Sequence, residues 1–127
     1  TLFELATAAL HKLPLKILVL NNHYLGMVRQ WQELFFDDRK SGVDLEGNPD
    51  FVKLAAAYGI EGFNIKRPAD VSRILQKALD YNEGPCLIHA ECCKTDNVFP
   101  MIPAGAPLED MLIEPPKQKM AQPVGST

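Results

Sequence analysis

Asn21, Asn22, Gly26, Met27 and Trp31 crowd the end of a short apolar run, and their types suit holding a ligand rather than moving protons. The Asn22 side-chain oxygen is a neutral donor fit for Mg²⁺, a hard cation that takes oxygen ligands and usually keeps waters and phosphate oxygens among them. The backbone carbonyl at Tyr24 can serve as a second ligand, and N–H groups near Gly26, at a helix start, can meet phosphate. A simpler reading stands beside this one: Asn21-Asn22 is a strand-to-helix turn in which asparagine accepts special backbone angles. Trp31, the only tryptophan, either floors a pocket or packs in the core, and Met27 carries the same ambiguity.

The rest of the chain offers little for catalysis. Glu33, Asp37 and Asp38 read as solvated charges at a helix end rather than an acid/base pair. His11, His23 and His89 are scattered. Cys86, Cys92 and Cys93 are odd in number and lack CxxC spacing, so they read as buried or idle thiols of a reducing compartment. No Ser-His-Asp arrangement, metal-ligand cluster or glycine-rich phosphate loop is present in the sequence. No residue of this chain is therefore assigned a catalytic role, and any reaction here needs a bound group to carry it.

The elements that must position these residues follow from periodicity. Leu2, Leu5, Ala6, Ala9, Leu10 and Leu13 predict an amphipathic helix stopped by Pro14. Leu15 to Leu20, a run rich in branched residues, predicts a buried strand. A second helix is expected from Leu25 to about Phe36, and then a polar loop to Gly47. Asn48-Pro49-Asp50 reads as a helix start with Asn48 as cap, and the helix runs to a left-handed stop at Gly59. A strand over 60–66, a helix from Pro68 and a strand over 86–91 complete the pattern. Strand, helix, helix, strand, helix, strand is the beat of an α/β fold with a parallel sheet and flanking helices. A turn with oxygen donors at the carboxyl end of such a strand lies where open α/β sheets bind ligands.

Bulk properties narrow the classes. At 127 residues, 46% hydrophobic and 23% charged, the chain can bury a core. Its net charge of -3, with signs interleaved, does not describe a nucleic-acid or polybasic membrane surface. No apolar run approaches the ~20 residues that span a bilayer. Five of the ten prolines fall between Pro100 and Pro116, threaded with Met101, Ile102, Leu108, Met111, Leu112 and Ile113. That apolar arm is expected to pack on something. The chain begins in mid-helix pattern without a Met, signal or transit peptide, so the expectation is a piece of a longer protein.

Three stretches carry a family resemblance: LVLNNHYLGMVRQWQELFF from Leu18, NPDFVKLAAAYGI from Asn48, and NVFPMIPAGAPLEDML from Asn97 to Leu112. Together they resemble the catalytic large subunit of acetohydroxyacid synthase (acetolactate synthase), in order and over nearly the whole chain. The Asn-Asn segment is shared with other thiamine diphosphate enzymes; GMVRQW combined with PMIPAG is more specific. The resemblance implies decarboxylation of pyruvate on thiamine diphosphate and transfer of the two-carbon fragment to pyruvate or 2-ketobutyrate, in branched-chain amino-acid synthesis. It implies Asn22 and the Tyr24 carbonyl as Mg²⁺ ligands, Gly26 and Met27 beside the cofactor, and Trp31 in the substrate channel.

The resemblance also implies parts that these residues do not include. They are the Asp of a GDG-type turn, a catalytic Glu from a partner subunit, and an FAD-binding domain. Tyr24 stands where Gln, His or Glu is frequent, which matters little for a backbone ligand. The implied organisation is a partial thiamine diphosphate-binding α/β domain over 1–95, an arm covering the active site over 96–117, and a flexible tail over 118–127. A homo-oligomer of at least two subunits, a regulatory small subunit, and a location in a bacterial cytoplasm or a plastid go with it. The fragment alone is expected to be inactive. Two other readings stay open: a different thiamine diphosphate enzyme, such as a pyruvate oxidase, glyoxylate carboligase or 2-ketoacid decarboxylase, and a non-catalytic α/β binding module.

Overall fold

The computed structural model describes residues 2–115; the tail expected over 118–127 lies outside them. Three parallel strands, β1 (Lys16–Asn21), β2 (Glu61–Ile65) and β3 (Cys86–Glu91), form a sheet in the order β1-β3-β2. β1 pairs with β3 from Lys16–Cys86 to Asn21–Glu91, so the chain inserts its last strand between the first two. Parallel neighbours need crossovers, and helices supply them. α1 (Phe3–Leu10) precedes β1; α2 (Gly26–Phe35) and α3 (Phe51–Ala57) lie between β1 and β2; α4 (Val71–Asp80) joins β2 to β3.

The core lies on both sides of β3, the one strand paired along both edges. Alternate side chains Cys86, Ile88 and Ala90 meet Phe63, Ile65, Ile74 and Ala78 on the α4 side. Leu87 faces the other way, into Ala55 and Ile60, with Ile17, Val19, Leu5 and Phe51 around them. Period-two alternation on the strands and the apolar stripe of α4 produce this two-sided layer. Burial pushes the Cys86 thiol up from its ordinary value, while Cys92 and Cys93 are exposed.

Four expectations are corrected. β1 is not buried on both faces: it is an edge strand, with Leu18 49% and Leu20 68% exposed. Its Ile17 and Val19 side is covered by α1 and α3, but on its other side Leu18 and Leu20 line an open groove with Val71 and Leu75 of α4 and stay outside the core. In α1, Leu5, Ala8 and Ala9 turn inward, whereas Leu2, Leu10 and Leu13 are exposed. The cap of α3 is Asp50, whose carboxylate accepts the N–H groups of Val52 (3.1 Å) and Lys53 (3.0 Å). Asn48 instead turns back to Asn21. Glu33 is not a solvated end charge but a half-buried partner of Arg29 and Asn97. Gly59 does take the left-handed conformation, φ 69°, just after α3.

Candidate functional site

Where β1 ends, two successive asparagine turns reverse the chain. Asn21 Oδ1 accepts the His23 N–H at 2.9 Å, and Asn22 Oδ1 accepts the Tyr24 N–H at 3.1 Å. Such side-chain-to-backbone bonds mimic a turn and tolerate the left-handed φ of 60° at His23. Asn21 is buried, and its four bonding sites are all engaged. Its Nδ2 faces His89 Nε2 at 3.1 Å and His23 Nε2 at 3.5 Å, while its Oδ1 also accepts from Asn48 Nδ2 at 3.3 Å. For these contacts to be hydrogen bonds, each imidazole must offer an unprotonated Nε2. The two histidines that are far apart in sequence thus meet on one asparagine, and Phe51 covers His89 with ring centroids 5.2 Å apart.

Asn22 is left with spare acceptor capacity. Its oxygen takes one hydrogen bond, and a carbonyl oxygen has two lone pairs. The Tyr24 carbonyl is also spared. The bridge between Tyr24 and Asp44 is closed by Leu25 N–H to Val43 O and Leu45 N–H to His23 O, both 2.9 Å, and so uses neither polar group of Tyr24. Gly26 opens α2 with no side-chain cap at Leu25, which leaves the first-turn N–H groups without a side-chain acceptor. A Cβ on Gly26 would lie 2.9 Å from Asn22 Nδ2, so glycine here makes room for that side chain.

These groups fit part of a Mg²⁺-diphosphate site. Two neutral oxygens suit the cation, and an uncapped helix N-terminus suits an anion. They do not complete it, since no cluster of three His, Cys, Asp or Glu ligands exists among the described residues.

The outer face of α2 carries the other candidates. Met27, Val28, Trp31, Gln32, Phe36 and Arg39 line an open groove of about 610 Å³. Trp31 is half-buried and meets Phe35 edge-on, centroids 5.7 Å apart; it belongs to neither core cluster. The groove is mostly apolar with polar groups at its rim, the make-up of a small-molecule site. Arg29 and Gln30, on the inner face of α2, escaped the sequence reading. Both are almost wholly buried and hold the segment 96–101. The arm expected to cover the site therefore docks, at its start, on the side of α2 opposite the groove.

A parallel α/β layer with an asparagine turn and an uncapped helix start at the carboxyl end of an outer strand defines the class. Residues 1–90 match the family described as thiamine pyrophosphate enzyme, C-terminal TPP binding domain, and the chain belongs to that family. It is similar to the acetolactate synthase isozyme 2 large subunit of Escherichia coli (strain K12), 47% identical over 86% of this chain and 20% of that one. It is also similar to the acetolactate synthase large subunit of Pyropia yezoensis, 44% identical over 80% of this chain and 17% of that one. Among solved structures, a thiamine diphosphate-dependent 4-hydroxybenzoylformate decarboxylase from Rhodococcus jostii RHA1 superposes with a TM-score of 0.64 at 29% identity, over 75% of this chain and 18% of that one. The chain spans about a fifth of the length of the curated relatives it matches.

Proposed function

We propose that this chain is the part of an acetolactate synthase large subunit that holds thiamine diphosphate, in an enzyme that condenses pyruvate with pyruvate or 2-ketobutyrate. The observation that carries the proposal is the turn from Asn22 to Gly26. Its spare oxygens and uncapped helix start stand directly before a helix whose outer face is an apolar groove containing Trp31. The cofactor, when bound, supplies the electron sink for decarboxylation and carbon–carbon bond formation. In this reading Asn22 and the Tyr24 carbonyl hold Mg²⁺, the first N–H groups of α2 bind diphosphate oxygens, Met27 flanks the cofactor, and Trp31 shapes the acceptor pocket. The other metal ligands, the catalytic Glu and the FAD site come from outside these residues, so the chain alone is inactive. The arm over 96–117, seated at its start on the inner face of α2, covers the active site in the assembled homo-oligomer, which a small subunit regulates.

The test is product analysis of the intact enzyme with pyruvate. Acetolactate formation dependent on thiamine diphosphate and Mg²⁺ is expected. The likeness to a decarboxylase at a TM-score of 0.64 favours one other reading, simple decarboxylation. Aldehyde and carbon dioxide as the only products would establish that reading and overturn ours.

A further inference from the structure

The inner face of α2 holds the start of the arm by a set of polar contacts from two buried side chains, Arg29 and Gln30. The Gln30 side chain, 1% exposed, pairs with both backbone polar groups of one residue: its Nε2 donates to Val98 O at 2.9 Å and its Oε1 accepts Val98 N–H at 2.8 Å. This is the pattern of a strand ladder made by a side chain, and it fixes both position and direction of the bound segment. The same Nε2 lies 3.0 Å from Met101 Sδ. Beside it, Arg29 Nη2 donates to Asp96 O at 2.9 Å and to Asn97 Oδ1 at 2.6 Å. Asn97 in turn donates to Glu33 Oε1 at 3.2 Å, and Glu33 closes the ring to Arg29 at 3.6 Å.

A second set of contacts ties this seat to both ends of the site. The Arg29 guanidinium lies 5.5 Å from the centre of the Tyr24 ring, on the turn with the spare carbonyl. Residues 27, 28 and 31 of the same two helical turns line the groove. Each residue of a helix advances ~100° around its axis, so what grips positions 29 and 30 also sets where 27 and 31 point. Behind the seat, Met101 and Leu112 exchange backbone hydrogen bonds of 2.9 and 2.8 Å and close the arm into a loop. Apolar side chains of similar size would hold the arm without the desolvation cost of buried amides. What the amides add is one register.

We infer that Gln30 and Arg29 are positioning residues: they seat residues 96–101 on α2 and so hold the Met27–Trp31 face and the Tyr24 turn in place for substrate. This rests on the acetolactate synthase reading for its kinetic consequence, but not for the seat itself. The test uses the intact enzyme with Gln30→Leu, which removes both bonds, Gln30→Glu, which keeps only the acceptor, and Asn97→Ala, which alters the arm and leaves the helix intact. Amide hydrogen exchange should speed up at Val98 and Met101 by roughly five- to tenfold in Gln30→Leu, in line with the net worth of a hydrogen bond. Exchange in β3 should not change. KM for pyruvate, the acceptor ratio and Mg²⁺-dependent thiamine diphosphate affinity should each shift by a similar factor, kcat at saturating cofactor and substrate should stay within about twofold, and Gln30→Glu should fall between.

Unchanged exchange at Val98 in Gln30→Leu overturns the seat. Faster exchange with unaltered KM and acceptor ratio overturns the positioning role. Should Gln30→Leu fail to fold, Asn97→Ala carries the same two measurements. A wild-type enzyme that forms no acetolactate overturns the functional reading, while the exchange data still decide the seat.

Discussion

Gly26 makes the sharpest residue-level case, because its effects on stability and on binding should have opposite signs. It sits at the first position of α2 with φ outside the left-handed range, so alanine is conformationally allowed and favours the helix by about 0.5–1 kcal/mol. The added Cβ would nevertheless press to 2.9 Å on Asn22 Nδ2, the far end of a side chain that can swing away. Gly26→Ala is expected to keep or slightly raise the thermal midpoint of the intact enzyme while weakening Mg²⁺-dependent cofactor binding by about tenfold, ~1.4 kcal/mol. Equal affinity would remove Asn22 from the metal site. Trp31→Leu takes an aromatic wall from the groove and leaves Phe35 without its edge-on partner. Shape differences of this size are worth about 1–3 kcal/mol in discrimination, so preference for 2-ketobutyrate over pyruvate should drop several-fold in a competition assay. An unchanged ratio with lowered stability would make Trp31 a packing residue.

At the scale of elements, Gly62 shows how closely α3 lies on the sheet. A Cβ there would stand 2.9 Å from Val52 Cγ1 and 3.4 Å from the Val52 Cα and carbonyl. Gly62→Ala should destabilise by about 1–3 kcal/mol, and adding Val52→Ala should recover part of that loss, a coupling readable in a double-mutant cycle of denaturation midpoints. The cap of the same helix titrates. The Lys53 N–H bond, with charge attraction from Lys53 and the Val52 N–H bond, holds the Asp50 carboxyl below the usual carboxylate range. A lowered folded-state value contributes stability above the unfolded value of ~3.9 and loses it as pH falls through the folded one. The gap in thermal midpoint between wild type and Asp50→Ala should be full at neutral pH and close in acid. A gap that stays constant with pH would mean the charge is not what caps the helix.

These elements also show what the sequence can and cannot reveal. α2, α4 and β3 were legible because their apolar spacing is local, and β3 matches its expected bounds of Cys86 and Glu91. Four apolar residues in a row look alike in a central and an edge strand, so the exposure of Leu18 and Leu20 was not legible. The Asn22 turn could be read, since asparagine pairs and glycine mark turns. Its support could not: Asn21 and His89 stand 68 positions apart, as do Gln30 and Val98, and only the fold brings them together. Asn48 was misassigned because a capping residue and a buried hydrogen-bond donor share one chemistry.

For the whole molecule, the question is what these 127 residues can bind unaided. The site described here offers two neutral oxygens and the start of one helix. Mg²⁺ demands near-octahedral oxygen coordination and gives up its waters reluctantly, and it binds through carboxylates and substrate phosphates rather than amides alone. Among the described residues no acidic cluster adds the charge that such a site needs. The diphosphate could be met by α2, but a lone surface-exposed helix end contributes only ~0.3–1 kcal/mol. Summed, these terms do not reach the roughly -8 kcal/mol of a micromolar complex. Titrating thiamine diphosphate and Mg²⁺ onto the purified chain, followed by calorimetry and by the fluorescence of its single Trp31, should therefore give no saturation below the millimolar range. The intact enzyme, with the acidic ligand implied by its resemblance to the family, should bind far more tightly under the same conditions. Equal, tight binding by both would show that Asn22, Tyr24 and α2 suffice, and the proposal of ligands from outside these residues would fall.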